Sequence, residues 1–389
     1  MKKVFILVLS ISIIAIGAFL LIAPTQVDKS LNKVLEHTPY TVSSQAQQLH
    51  NTLIVGDWHA DTLLWNRDIS AENNYGHVDL PRLRSGNVAL QMFTTVTKSP
   101  EGLNYNENSG DSADSITKLA MVQRWPADTW NNLTARALHQ SFKLLALAQD
   151  RPDELMVIRS QLDLQLFLQK RENNERLIGG LIGTEGSHAL EGKLENVQVL
   201  YDAGFRMMSL QHFFDNKLGA SLHGKSQSGL TEFGREVVQE INALNIILDV
   251  SHSSEQTVEE TLELSNKPLI VSHTGFKGHC NTARNISDEL MQRIAAKGGL
   301  IAVGFWDAAV CGEHPSQIVA AIQYGIELVG EDHVALGSDF DGSISTSFDT
   351  SELAALTHYM LEANFSETQI RKVMGGNMLK FLQTHLPVN

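Results

Sequence analysis

The sequence predicts an α/β fold, a (β/α)8 TIM-like barrel, and two observations carry that reading. Between residues 51 and 389 lie eight short apolar runs, mostly separated by segments with helical spacing, the alternation that parallel α/β architectures require. Six of the eight runs deliver a His, Asp or Glu where their apolar character stops. In a barrel those residues would share one rim, the C-terminal face where side chains from several strands converge.

The clearest unit spans 246–284. Ile246-Ile-Leu-Asp-Val250 and Pro268-Leu-Ile-Val271 each run at once into Ser-His, as Ser251-His252 and Ser272-His273. Short aliphatic runs with β-branched members read as strands buried on both faces. Between them, 255–265 sets Val258, Leu262 and Leu264 among acidic residues, which suits a short helix with one buried face. A right-handed crossover makes the strands parallel neighbours and turns both imidazoles into one crevice. Either histidine alone also fits a hydrogen-bonded structural role; the repetition favours ligation.

In chain order, the run 52–55 leads into Gly56-Asp-Trp-His-Ala-Asp61, where His59 and Asp61 are two apart and leave one face of an extended backbone. The next strand is 88–96. Residues 98–132, rich in Gly, Asn, Ser and Asp, read as a long insertion, either a binding loop or an ordinary surface excursion. Helices follow at 134–148 and 160–171. The run 177–184 ends in Glu185, a carboxylate that is badly desolvated there unless paired or metal-bound. A helix at 195–203 stops at Gly204, and the strand 205–212 ends in His212. The segment 230–241 is helical. Ser287 is positioned to cap a helix with Asp288 and Glu289 in its first turn. Strands at 299–305 and 333–338 complete the eight, the last ending at Asp339-Phe-Asp341, and helices at 351–362 and 366–382 close the chain.

Ahead of the barrel, Met1-Lys-Lys3 precedes an uncharged apolar run over 4–23, and about 20 such residues suffice to span a bilayer. No small-x-small cleavage site stands out after it. The expected organisation is a signal-anchor and stalk start at 1–30, a linker and lead-in helix at 31–50, and the barrel at 51–389. The main domain is then membrane-anchored and exported, periplasmic or extracellular; secretion after signal cleavage is the alternative. A net charge of −14 with no Lys/Arg cluster argues against nucleic acid as a partner.

His59, Asp61, Glu185, His212, His252, His273 and Asp339 together suit Zn²⁺ or a similar divalent ion, and they suffice for two ions sharing a bridging carboxylate. Such a pair activates water for attack on a carbonyl, so the expected reaction is metal-assisted hydrolysis, on a barrel of the metal-dependent hydrolase type.

The motifs Asp57-Trp-His-Ala-Asp61, Gly183-Thr-Glu-Gly186, Leu248-Asp-Val-Ser-His-Ser253, Val271-Ser-His-Thr274, Ala283-Arg-Asn-Ile286 and Gly337-Ser-Asp-Phe-Asp-Gly342, with Leu230-Thr-Glu-Phe-Gly234, resemble the membrane (renal) dipeptidase family of zinc peptidases. The resemblance runs from about residue 51 to the C-terminus. It implies a binuclear zinc dipeptidase that attacks the peptide bond of free dipeptides, including ones with a C-terminal D-residue, with a metal-bridging hydroxide. It implies His59, Asp61 and Glu185 on one zinc and Glu185, His252 and His273 on the other, with Glu185 as the bridge. It further implies that Asp339 handles the proton, that His212 stabilises the oxyanion, and that Arg284 holds the substrate carboxylate with its guanidinium fork. A homodimer and a disulfide between Cys280 and Cys311 are also implied, two free thiols being the other possibility for the cysteines. Asp341 stays outside the site.

Two departures from the family pattern bear on the pocket: Trp58 stands where many relatives have glycine, and 98–132 has no assigned counterpart. Two other functions compete. One is a barrel metallohydrolase of a cyclic amide or lactone, which His-x-Asp and Glu185 argue against; the other is an exported non-catalytic binding protein.

Overall fold

The computed structural model describes residues 1–389, with the side chains of all but positions 2, 8, 11–16 and 18. Eight parallel strands close into a barrel: β1 (Val55–Ala60), β2 (Val88–Val96), β3 (Ile178–Glu185), β4 (Phe205–Ser209), β5 (Ile247–Asp249), β6 (Ile270–Thr274), β7 (Leu300–Val303) and β8 (Val334–Leu336). Neighbours in sequence are neighbours in the ring, and β8 pairs with β1. The longest seam joins β2 to β3, in register from Leu90↔Gly179 to Val96↔Glu185. β5 and β6 are parallel neighbours, as their repeated Ser-His endings require.

The strands carry two apolar faces because alternate residues point opposite ways. Leu90, Met92, Leu181, Met207 and Ala302 pack together with Phe167 and Phe381 from two helices. Phe93, Ile182, Met208, Val271 and Ile301 belong instead to the larger cluster with the outer helices, through Leu144, Val237, Ile294 and Ile322. Both faces being buried, the strands read as continuous apolar runs.

Several elements differ from the sequence expectation. The first strand begins at Val55, since 52–54 form a turn off the helix Ser44–His50, with Thr52 and Leu53 amides donating to Leu49 and His50 carbonyls. A short strand, Leu155–Val157, pairs with β3 beside β4, and the helix Pro315–Val329 lies between β7 and β8; neither was expected. Ser287 occupies an N-cap position, but its hydroxyl caps nothing; its amide donates to Glu255 Oε1 at 2.7 Å. The closing helix is broken by a wide turn at Lys372–Gly376, where Gly375 approaches the lead into the first strand so closely that a Cβ there would lie 2.0 Å from the Ile54 carbonyl oxygen. Trp58 points away from the cavity and meets the ring of Phe381 edge-on at 5.7 Å, so it does not reshape the pocket. Cys280 and Cys311 form a disulfide.

The N-terminal helix, Lys2–Leu31, continues through Pro24. Most side chains in the middle of its apolar run lie outside the described residues. Among the described residues, no helix is long and apolar enough to cross a membrane.

Candidate active site

The strand ends bring the expected ligands together. His59 lies in β1 with Asp61 just beyond it, Glu185 ends β3, and His273 lies in β6. His212, His252 and Asp339 each come three residues past β4, β5 and β8. His252 and Asp339 hold left-handed backbone at φ 61° and 60°, a conformation that side chains resist and that recurs at functional sites. Gly186 follows Glu185 at φ 72°, where a Cβ would strike the His188 ring at 2.4 Å. Only glycine lets the chain turn there.

Glu185 is the hub. Its Oε1 lies 3.2 Å from His252 Nε2, 3.4 Å from His273 Nε2 and 3.6 Å from His59 Nε2, and its Oε2 lies 3.3 Å from His212 Nε2. Asp61 Oδ1 and Asp339 Oδ1 stand 3.7 and 4.0 Å from His59 Nε2. Donor atoms of His59, Glu185, His273 and Asp339 form one tight group and those of Glu185, His212 and His252 a second, with Glu185 common to both. Two atoms each about 2.0–2.2 Å from one tetrahedral ion stand about 3.4 Å apart, which is the spacing observed.

Hydrogen bonding fixes the tautomers that a metal would need. The Ser272 hydroxyl donates to Asp249 Oδ2 at 2.6 Å, and its oxygen lies 3.0 Å from Nδ1 of both His59 and His273. Having given its proton to a carboxylate, Ser272 accepts from those two ring N–H groups. The Nε2 lone pairs of both rings therefore face the cage. His59 Nε2 has no hydrogen-bond partner among the described residues, and His252 Nε2 meets His273 Nε2 at 2.9 Å. Inward lone pairs among buried carboxylates call for a cation, so the residues present fit one or more divalent ions.

Burial lowers the His59 pKa, but Asp61 and Asp339 outweigh it and raise that ring, so without an ion its Nε2 tends to carry the proton whose place a cation would take. Burial pushes the Glu185 carboxyl well above its usual range, and the charges of Asp61 and Asp339 add to that. Burial also pushes Asp339 up to about 8, with His59 opposing and Asp61 adding. Burial would raise Asp61 too, but the His59 imidazole and the Thr94 hydroxyl at 2.7 Å hold it below its ordinary value. Burial and the Arg284 charge keep His252 neutral, its pKa well below the usual imidazole value.

Arg284 is 2% exposed and forms no ion pair among the described residues. Its Nη2 donates to the His273 carbonyl at 2.9 Å, and its guanidinium sits 5.2 Å from the Trp306 ring. It lines a cavity of about 340 Å³ together with Asp61, Glu185, His212, His252 and Asp339. The 98–132 segment forms part of that cavity's wall through Tyr105, Ile116 and Leu119, and the Tyr105 hydroxyl accepts from Trp306 Nε1 at 3.0 Å. Buried Arg136 organises the segment by donating to the carbonyls of Thr97, Thr129 and Trp130.

All eight expected site residues thus converge, and Asp341 faces elsewhere. The supporting residues were missed. Asp249 holds Ser272, and Asp57 accepts from the amides of His59 and Ser338 at 3.3 and 2.8 Å, tying β1 to the turn that carries Asp339. A signal existed: an aspartate precedes the histidine by two or three residues in both Asp57-Trp-His59 and Asp249-Val-Ser-His252.

Among solved structures, an amidohydrolase from Pseudomonas aeruginosa matches at 23% identity and TM-score 0.68, over 88% of this chain and 99% of its own. A metallopeptidase from Rhodobacter sphaeroides, liganded with a phosphinate mimic of L-Ala-D-Ala, matches at 22% and 0.69, over 86% and 99%. The probable dipeptidase PvdM from Pseudomonas aeruginosa matches at 19% and 0.72, over 87% and 97%. These likenesses concern the fold. The family model of membrane dipeptidase, peptidase family M19, matches residues 43–386, nearly the whole barrel and its lead-in helix. The chain therefore belongs to the membrane dipeptidase family and is a metallopeptidase that hydrolyses peptide bonds.

Proposed function

We propose that the protein is a binuclear zinc dipeptidase acting on free dipeptides, including those with a C-terminal D-residue. The observation that carries the dipeptide reading is Arg284, a buried guanidinium beside the cage that has no acid partner among the described residues. A buried unpaired cation is costly unless an anion arrives to meet it, and a guanidinium fork suits a carboxylate. The Rhodobacter sphaeroides metallopeptidase of the same fold, holding a mimic of L-Ala-D-Ala, supports the D-residue.

His59, Asp61 and Glu185 would hold one ion, and Glu185, His252 and His273 the other. Zinc bound there would supply Lewis acidity, polarising the carbonyl and lowering the pKa of water. Arg284 fixes the substrate carboxylate, which orients the scissile carbonyl over the cage. His212, kept neutral because burial lowers its pKa to about 4, donates a hydrogen bond to the carbonyl oxygen as negative charge develops there. Asp339 takes a proton from the attacking water at its carboxylate and passes it to the leaving amine nitrogen. The uncharged run 4–23 after Lys2 and Lys3 supports an exported domain tethered by its N-terminus.

Purified protein should hold two equivalents of zinc by elemental analysis and cleave an L,D-dipeptide far faster than its C-terminal amide. Equal rates on acid and amide would remove the role given to Arg284. Less than one equivalent of metal would undo the hydrolytic mechanism.

A further inference from the structure

Residues 1–42 lie outside the family match, yet the end of the N-terminal helix reaches the active-site cavity. Val27 and Leu31 line it, facing Leu64 and Trp65, which follow Asp61, and Ile116 and Leu119 of the 98–132 segment. Val27 packs in the same cluster as Leu64, Trp65 and Ile116.

This wall is fastened. Buried Asp28 pairs with Arg67 at 3.1 Å and accepts from Asn32 Nδ2 at 2.8 Å. Asn32 Oδ1 accepts from the Ser343 amide at 2.9 Å, and Lys33–Val34 runs parallel to Ser345–Thr346, with the Lys33 amide donating to the Ile344 carbonyl. Residues 343–346 follow Asp339 closely, and Arg67 also pairs with Asp341. The helix end is therefore bound to the same segment that carries a site carboxylate, which a loosely attached stalk would not be.

The cavity has two sides. Arg284, His252 and Trp306 lie on one, and this inference rests on the dipeptidase reading that the substrate carboxylate docks there. The aliphatic wall comes from the end of the N-terminal helix, the stretch after Asp61 and the 98–132 segment, through Val27, Leu31, Leu64, Ile116 and Leu119. A dipeptide held by its carboxylate at Arg284 and its carbonyl at the cage would have its amino-terminal residue in the rest of this one cavity, whose lining includes that wall. Aliphatic side chains offer that residue burial and no hydrogen bond. We propose that Val27 and Leu31 are specificity-determining residues, forming with Leu64, Ile116 and Leu119 a pocket that selects dipeptides whose amino-terminal side chain is bulky and apolar.

The test uses the full-length, metal-loaded protein with L-Leu-D-Ala and L-Ala-D-Ala. The wild type should favour the leucyl substrate in kcat/KM by about tenfold, the size of preference a few buried methylenes give. In the double variant Val27→Ala/Leu31→Ala that ratio should fall toward one, and in Leu31→Trp the pocket should shrink and the ratio invert. A thermal melt of each variant monitors folding, and a ratio is insensitive to the fraction of folded enzyme. Equal rates on both substrates in the wild type, or a ratio unmoved by both variants, overturn the proposal while leaving the dipeptidase reading intact. Absence of hydrolysis of either substrate by zinc-loaded wild type overturns the dipeptidase reading and this inference with it.

Discussion

Asp339 and Asp341 are two residues apart and both buried, yet their carboxyls titrate in opposite directions. Burial raises both. At Asp341 the surroundings answer it: Arg67 pairs with Oδ2, Thr62 donates to Oδ2 at 2.9 Å, and the His77 amide donates to Oδ1 at 2.7 Å, holding the acid well below its usual range. At Asp339 no hydrogen-bond donor reaches the carboxylate among the described residues, and burial, with the neighbouring Asp61 charge adding to it, drives it up to about 8. The first cluster is complete within the chain. The second is complete only with a cation from outside, and that contrast separates a structural buried charge from a functional one.

The contrast can be broken most severely at Glu185. Glu185→Gln should lose both ions together and lower activity by about a thousandfold or more, while Asp341→Asn should keep its metal, by elemental analysis of both proteins. A Glu185→Gln protein that retains two ions would show that the bridge is wrongly assigned. Next comes Arg67→Met, which strands Asp28 and Asp341 as buried carboxylates. It should cost about 3–5 kcal/mol of stability in denaturant titration, with metal stoichiometry preserved. The sign with pH follows from Asp341: its folded pKa is depressed, so its contribution is present above about pH 4, the unfolded value, and is lost as pH falls. Acid should therefore close the stability gap between Arg67→Met and wild type.

The smallest of these effects concerns protons in the cage. Asp339 is raised to about 8, so in the metal-free protein it carries at neutral pH a proton that an incoming ion must displace, and burial shifts Glu185 in the same direction. Zinc affinity should rise about tenfold per pH unit for each proton released between pH 6 and 8. Calorimetry in two buffers of different ionisation enthalpy counts those protons. A pH-independent affinity would mean that the cage is already charged and that its contrast with Asp341 is weaker than drawn.

The convergence of the candidate ligands was legible because each stands where an aliphatic run stops, and that break is local in sequence. The strands were legible for the same reason, with ends misjudged by a few residues where caps and turns decide. What escaped was long-range. Nothing near Asn32 signals its bond to Ser343, and nothing in the polar sequence of 98–132 signals that Arg136 gathers the Thr129 and Trp130 carbonyls into a wall. Asp249 and Ser272 lay between those extremes: both stand beside predicted ligands, but their service to the histidines appears only once β5 and β6 are side by side.

The Cys280–Cys311 bond joins the loop after β6 to the loop after β7. The first of these loops carries Arg284 and the second carries Trp306, the ring against which that guanidinium lies, while Asn285 donates to the carbonyls of both Cys280 and Ala309. None of the expected metal ligands sits on the bridged stretch. Reduction should thus slacken the grip on the substrate's acid end while sparing the ion cage, so that a thiol reductant raises KM more than it lowers kcat, and the redox state of the surroundings sets how dilute a substrate the enzyme can use.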